Sequence, residues 1–354
     1  MPGWIPDMTP AQVQLAFGNA TGQIGMTILR IRVPYDSSKF SLEVPTAKLA
    51  ASLGAIVFAS PWTPPASLKS NNDIVGGTLN ATSYAAYAAH LKSFADYMLN
   101  NGVPLYAMSL QNEPDCSVTY ESCTWNATQL LDFVKNNAPA IGTRIIVPES
   151  QNFAHALSDP ILNDPAAAPN VAIIGGHIYG GGVVGYPLAI SKGKEVWMTE
   201  HLETETNWNY ALWTAREIND CMNVGMNAYV WWYMRRFYGP IDDSSNVTKR
   251  GYAISQYAKF VRPEYVRVSA TIHPQMYVYV TAYKNATKVV LVVINSGASP
   301  IDQTFTISNG STISFTPYMT SETKNCAQGS AISVSNGRFV GTLDASSVTT
   351  FVSN

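Results

Sequence analysis

LYAMSLQNEPD (residues 105–115) begins as a short apolar run and ends in five polar or turn-forming residues. Residues 105–110 are largely apolar on both faces, as a parallel strand covered by helices on both sides requires. Pro114 then ends the run at a position that needs no ladder hydrogen bond. Outward from this stretch the same pattern recurs at 27–33, 55–62, 144–148, 172–179, 195–200 and 228–234. Helical patterns lie between these runs. Over 83–101, Tyr84, Tyr87, Leu91, Phe94 and Met98 return every three or four residues, and Gly102 follows as a stop.

Strand–helix alternation over this length predicts an α/β fold, a (β/α)8 TIM barrel. Seven strands can be read rather than eight, and before residue 27 there is only a helix-like segment at 9–17. The first strand is either unread or lost with the N-terminus. After residue 262 strand-like runs follow at 265–271, 276–283, 288–295, 303–307, 312–317, 332–334, 339–343 and 348–352. Turn pairs such as Asn309-Gly310 and Asn336-Gly337 separate some of them, with no helical period between. The expected division is therefore a barrel domain over 1–262 and a side β-sandwich over 263–354.

Charged residues make up 13% of the 354, and the formal net charge is −2. A nucleic-acid or anionic-membrane partner would call for a basic cluster, and nothing beyond Arg235-Arg236 resembles one, so neither partner is expected. No apolar run is long enough to span a bilayer. Nineteen Tyr and eight Trp, with many Ser, Thr and Asn, suit either a carbohydrate-binding surface or a Tyr-rich β-protein. Cys116 and Cys123 bracket a short loop and are expected to close a disulfide in an oxidising compartment; Cys221 and Cys326 have no readable partner. No CxxC pair or HExxH run is present, so neither a metal nor another cofactor is expected. N-x-S/T sequons occur at Asn19, Asn80, Asn126, Asn246, Asn285 and Asn309.

In a barrel the chemistry gathers where strands end. Those ends carry Trp62, Asn112-Glu113-Pro114, Glu149, His177 and Tyr179, Glu200-His201, and Trp231-Trp232-Tyr233 followed by Arg235-Arg236. Two carboxylates in such a ring suit glycosidic hydrolysis, one donating a proton to the leaving oxygen and one attacking the anomeric carbon. Glu113 and Glu200 are the candidates; Glu149 is a third, with less patterned neighbours. Asn112 is placed to donate to a sugar 2-hydroxyl. Tyr179 is placed to hydrogen-bond the nucleophile, and His177 to buttress a substrate hydroxyl or to rest as a core histidine. Trp62 and Trp232 are candidate stacking platforms. The paired arginines suit a bidentate carboxylate clamp or a surface ion pair with Asp242 or Asp243.

Several segments together resemble the bacterial glucuronoxylanases of glycoside hydrolase family 30, subfamily 8. They are GAIVFASPWTPP (54–65), LYAMSLQNEPD (105–115), IIVPESQNF (145–153), LSDPILNDP (157–165), GGHIYG (175–180), VWMTE (196–200), YVWWYMRRFYGP (229–240), KRGYAISQYAKFVRPEYVRV (249–268) and VTTFVSN (348–354). The resemblance runs nearly end to end. It implies a secreted, monomeric, retaining endo-β-1,4-xylanase with Glu113 as acid/base and Glu200 as nucleophile. Trp62, Asn112, Tyr179 and Trp232 would line the cleft. Arg236, with Tyr233 and Tyr238 beside it, would hold a 4-O-methylglucuronic acid branch of xylan.

Three features depart from the family pattern. The chain begins after the strand that carries a Gly-Phe-Gly-Gly-like turn. The loop HLETETNWNY (201–210) is short and carries Glu203 and Glu205, which would repel a uronate, beside Thr204 and Thr206. The loop after NEPD carries Cys116 and Cys123 in place of an aromatic-rich stretch. Another family 30 activity (β-glucosidase or β-1,6-glucanase) and a carbohydrate-binding barrel without turnover are the alternatives.

Overall fold

The computed structural model describes residues 7–308 and 313–354; the Asn309-Gly310 turn and the Asn309 sequon lie outside the described residues. Two compact units emerge. One comprises Met1–Pro10, Ile28–His201 and Val224–Trp231, the other Ala11–Thr27, Leu202–Asn223 and Trp232–Asn354.

The first unit contains seven strands: β1 (Ile28–Val33), β2 (Ile56–Pro61), β3 (Ala107–Ser109), β4 (Ile145–Ser150), β5 (Ile173–His177), β6 (Glu195–His201) and β7 (Ala228–Trp231). They form one sheet in chain order, with every neighbouring pair parallel. Helix α1 (Pro10–Phe17) precedes β1. The crossovers then carry α2 (Val44–Ser52), α3 (Tyr84–Asn100), α4 (Ala127–Asn136), α5 (His155–Asn163), α6 (Pro187–Ser191) and α7 (Trp208–Asn223). This is the nearly closed, seven-strand form of the barrel expected from the alternation.

Local sequence explains the elements. Helix α3 buries Tyr84, Tyr87, Leu91, Phe94 and Met98, and the chain leaves it at Gly102, whose φ of 82° suits glycine. Helix α4 opens with a reciprocal capping box between Asn126 and Gln129. All six residues of β4 are buried, as a strand covered on both faces should be.

The barrel interior changes character along the strands. Phe58, Ala107, Ile146, Ile173, Trp197 and Ala228, one from each of β2–β7, form a buried apolar cluster. A step of two residues keeps a side chain on the same face, and those steps lead from Phe58 to Ser60, Ala107 to Ser109 and Trp197 to Thr199, all fully buried. Polarity therefore rises toward the C-terminal strand ends.

The second unit holds most of α1, α7, α8 (Lys249–Ala258) and, among the described residues, nine strands: β8 (Val266–Val268), β9 (Val278–Lys284), β10 (Val289–Asn295), β11 (Ile301–Thr306), β12 (Ser314–Ser321), β13 (Ala327–Gln328), β14 (Ile332–Ser333), β15 (Arg338–Leu343) and β16 (Ser347–Ser353). One antiparallel sheet runs β13-β12-β16-β10-β9-β8, with β14 beside β12, and β11 pairs with β15 in a second. Val280, Leu291, Val293, Phe305, Phe315, Phe339 and Phe351 pack in the core. Gly341 is required there, since a Cβ would fall 2.6 Å from the Phe351 ring. Helix α8 docks on this sheet through buried Gln256, which donates to Thr320 Oγ1 at 2.7 Å and accepts from Thr350 Oγ1 at 2.6 Å.

Two expectations need correction. The seventh barrel strand stops at Trp231 rather than Met234. The chain beyond it folds onto itself, with Ile241 N–H donating to Met234 O at 3.1 Å and Arg236 N–H to Ile241 O at 3.0 Å. The Cys116–Cys123 disulfide is not formed, and all four cysteines are free. Cys123 is fully buried, and burial pushes its thiol up to about 12 despite Lys69 nearby. Burial with Glu113 and Asp115 pushes Cys116 up to about 11. Neither thiol is poised to form the thiolate that oxidation requires.

Candidate active site

The first unit assembles a buried cluster at the C-terminal ends of its strands. Asn112 and Glu113 follow β3, Glu149 lies near the end of β4, His177 closes β5 with Tyr179 two residues on, and Glu200 is the penultimate residue of β6. Backbone bonds fix the loop that carries Glu113. Asn112 N–H donates to Pro61 O at 2.8 Å, and Glu113 N–H to Glu149 O at 3.0 Å. Asp115 accepts from Ser150 Oγ at 2.8 Å and from Gln151 N–H at 3.0 Å. Glu113 and Glu149 both adopt positive φ, 45° and 54°, a backbone conformation that is costly for residues other than glycine and clusters at functional sites.

The cluster centres on a residue not foreseen from sequence. Arg30 of β1, buried with its neighbours, donates Nε–H to Ser60 Oγ at 3.0 Å and Nη2–H to Asn112 Oδ1 at 2.6 Å. Its Nη1 pairs with Glu200 Oε2, and Nη2 lies 3.0 Å from Glu149 Oε1. Burial opposes its charge, but Glu149, Glu200 and Glu113 outweigh that cost and raise its pKa. A signal was available: ILRIRV (28–33) places two arginines at alternating positions of an apolar strand, and a buried cation requires partners. Arg32, also buried, pairs with Glu121 of the β3–α4 loop.

Glu200 also accepts from Tyr179 Oη at 2.8 Å. Burial alone would raise the Glu200 carboxyl. The attraction of His177 and Arg30, with the hydrogen bonds from Arg30 and Tyr179, prevails and holds it below the ordinary carboxylate value. Burial and the neighbouring Glu200 push the Tyr179 hydroxyl far upward, so it remains a donor. Glu113 has different company. His177 Nδ1 lies 2.9 Å from its Oε1, and Tyr120 Oη donates to Oε2 at 3.4 Å. Arg30 also orients Asn112: with Oδ1 occupied, the amide NH2 is the group left to meet a ligand.

Trp62, expected as a stacking platform, is 2% exposed. Its ring lies 4.8 Å from the Arg30 guanidinium, so it covers the arginine rather than offering that face to a sugar. Glu113, His177 and Glu200 each present a ligand atom within 4.8 Å of the others, a set with the donor chemistry to hold a divalent cation. Arg30 already supplies positive charge at that place.

The remaining expected site residues lie in the second unit. Trp232 and Tyr233 have ring centroids 4.0 Å apart, and the Arg236 guanidinium sits 5.5 Å over the Tyr233 ring. Arg236 is exposed and Tyr238 buried. Arg250 Nη1–H donates to Tyr238 O at 2.6 Å and so anchors the segment. The expected surface ion pair is not formed: Asp242 instead accepts from Ser244 and Asn246 N–H at 2.9 and 2.8 Å.

Two carboxylates at this separation, one held ionised and one beside ionisable donors, have the equipment for acid-assisted displacement at an acetal carbon. Comparison with known proteins agrees. The glycosyl hydrolase family 30 TIM-barrel domain matches residues 32–189. The chain is 44% identical to glucuronoxylanase XynC of Bacillus subtilis, over 100% of this chain and 87% of that protein. It superimposes on the family 30 subfamily 8 xylanase Xyn30A of Clostridium acetobutylicum with a TM-score of 0.93 and 43% identity, covering 98% of this chain and 93% of the other. A family 30 endoxylanase of Clostridium papyrosolvens gives a TM-score of 0.92 at 40% identity, over 99% and 94%. The chain belongs to glycoside hydrolase family 30.

Proposed function

We propose that the protein is a retaining endo-β-1,4-xylanase acting on glucuronoxylan, with Glu200 as nucleophile and Glu113 as acid/base. The observation that carries this reading is the spacing of the pair. Carboxylate oxygens of Glu113 and Glu200 lie within 4.8 Å of one another, whereas an inverting pair stands ~6.5–9.5 Å apart to admit a water between them. The division of labour follows from the surroundings. Arg30 and Tyr179 keep Glu200 ionised, so it attacks the anomeric carbon as the bond to the leaving oxygen breaks. The proton of Glu113 passes to that oxygen. Glu113 then takes a proton from a water that attacks the same carbon, and Glu200 leaves as carboxylate. The Asn112 amide donates to the sugar 2-hydroxyl, and His177 orients Glu113.

The substrate assignment draws on the relatives described as glucuronoxylanase and endoxylanase. Arg236, exposed, cationic and without an ion pair among the described residues, supports a uronate branch as the recognised group, with Trp232, Tyr233 and Tyr238 beside it. The substrate is a polymer too large to enter a cell, so the enzyme acts outside it, as a single chain. A barrel domain over 1–262 and a side domain over 263–354 belong to the same proposal. The test is hydrolysis of glucuronoxylan, debranched xylan and β-glucan, with the anomeric configuration of the first product followed by NMR. Retained β-configuration on xylan is expected. Cleavage of β-glucan alone, or an inverted product, would overturn the assignment.

A further inference from the structure

The reaction proposed above leaves one carboxylate of the cluster without a task. Glu149 is fully buried, and neither of its oxygens accepts a hydrogen bond from a described residue. Its Oε1 lies 3.0 Å from Arg30 Nη2 and 4.0 Å from His177 Nε2, and that histidine nitrogen is likewise buried without a hydrogen-bond partner. The fold makes room for it: a Cβ on Gly175 of β5 would fall 3.4 Å from Glu149 Cγ and 2.7 Å from the Ile146 side chain. A carboxylate buried without hydrogen bonds is costly. Its physical effect is exerted through charge on the two cationic or ionisable groups it faces.

Resting on the reading of Glu113 and Glu200 as the catalytic pair, we propose that Glu149 is a positioning residue that holds Arg30 and His177 against that pair. Drawn to Arg30 Nη2, it leaves Nη1 on Glu200 and holds the Nη2 fork where it also reaches Asn112. Facing His177 Nε2, it keeps Nδ1 of the same ring on Glu113. Glu113 meets Arg30 from β1, His177 from β5 with Tyr179 two residues on, and Glu200 from β6, and Cys116 and Tyr120 of its own loop lie beside it.

Glu149→Gln keeps the shape and removes the charge. On unactivated xylo-oligosaccharides we expect kcat to fall ~10–100-fold, as for a small misplacement of reacting groups, with little change in KM. Glu149→Asp keeps the charge but shortens its reach, so part of the lost kcat should return. An unchanged kcat, or a loss that falls on KM instead, in folded Glu149→Gln would overturn the proposal. If that variant does not fold, Glu149→Asp decides: an unchanged kcat or a loss on KM overturns the proposal, and a reduced kcat at the wild-type KM supports it. Wild type and Glu200→Gln run alongside, because xylan cleavage absent from the first or retained by the second would count against the catalytic pair instead.

Discussion

In the sandwich, Val280, Leu291, Val293, Phe305, Phe315, Phe339 and Phe351 pack together in an apolar core. In the barrel, a similar layer of Phe58, Ile146, Ile173 and Trp197 gives way within two to four residues to Ser60, Glu149, His177 and Glu200, all buried. Both interiors exclude water, yet exclusion serves different ends. In the first it stabilises the fold, each fully buried large side chain contributing roughly 1.5–3 kcal/mol. In the second it strengthens electrostatics around charges that are individually unfavourable to bury. Substitutions in the two interiors should therefore separate stability from activity.

The largest separation is expected at Glu200. Glu200→Gln should abolish xylan hydrolysis, a loss of about 10⁴-fold or more in kcat. Stability should change by only about 1–2 kcal/mol, since Arg30 keeps its pairing with Glu149 and the amide still accepts a hydrogen bond. Steady-state kinetics beside a thermal melt would check this, and a large fall in Tm would mean that the charged layer also holds the barrel together. Phe351→Ala should do the reverse. It vacates a fully buried site against Phe305 and Phe339 and should cost ~3–5 kcal/mol, while kcat per folded molecule stays at the wild-type value.

Arg236 lies outside both interiors and tests whether charge on the surface acts on the polymer rather than on the fold. Arg236→Ala should lower kcat/KM on glucuronoxylan ~10–100-fold, the worth of a charge-assisted hydrogen bond, with neutral xylo-oligosaccharides and Tm little affected. Equal losses on both substrates would make the residue structural.

The same contrast explains what could be read from the chain alone. The seven barrel strands and the sandwich strands other than the two-residue β13 were legible because covered strands and hairpins leave local apolar and turn patterns. Glu113 and Glu200 stood out because each ends an apolar run at which a barrel presents its chemistry. Arg30 did not, since alternating Ile and Arg also reads as a strand with one solvated face, and only closure of the sheet turns that face inward. Trp62 was placed correctly at a strand end, but its ring is taken by that unforeseen arginine. The end of β7 depends on Ile241 returning to pair with the backbone of Met234 and Arg236, a contact too distant in sequence to leave a local pattern.

The smallest effect should come from the hydrogen bond between Tyr179 and Glu200, which tests how the charged layer keeps its nucleophile ionised. The Glu200 carboxyl is held below its ordinary value, for which ~4.3 is the reference. A depressed carboxylate contributes stability above the unfolded value, and that contribution is lost as pH falls through the folded one. The acid limb of kcat/KM, where the nucleophile takes up a proton, should accordingly lie below ~4.3. Tyr179→Phe removes a donor that favours the charged form. The limb should move up, and the acid-side loss of Tm should begin at correspondingly higher pH. Arg30 remains in place, so the shift should be partial. An unmoved limb would assign the ionised state of Glu200 to Arg30 and His177 alone, and would make the tyrosine a packing element of the β5 end.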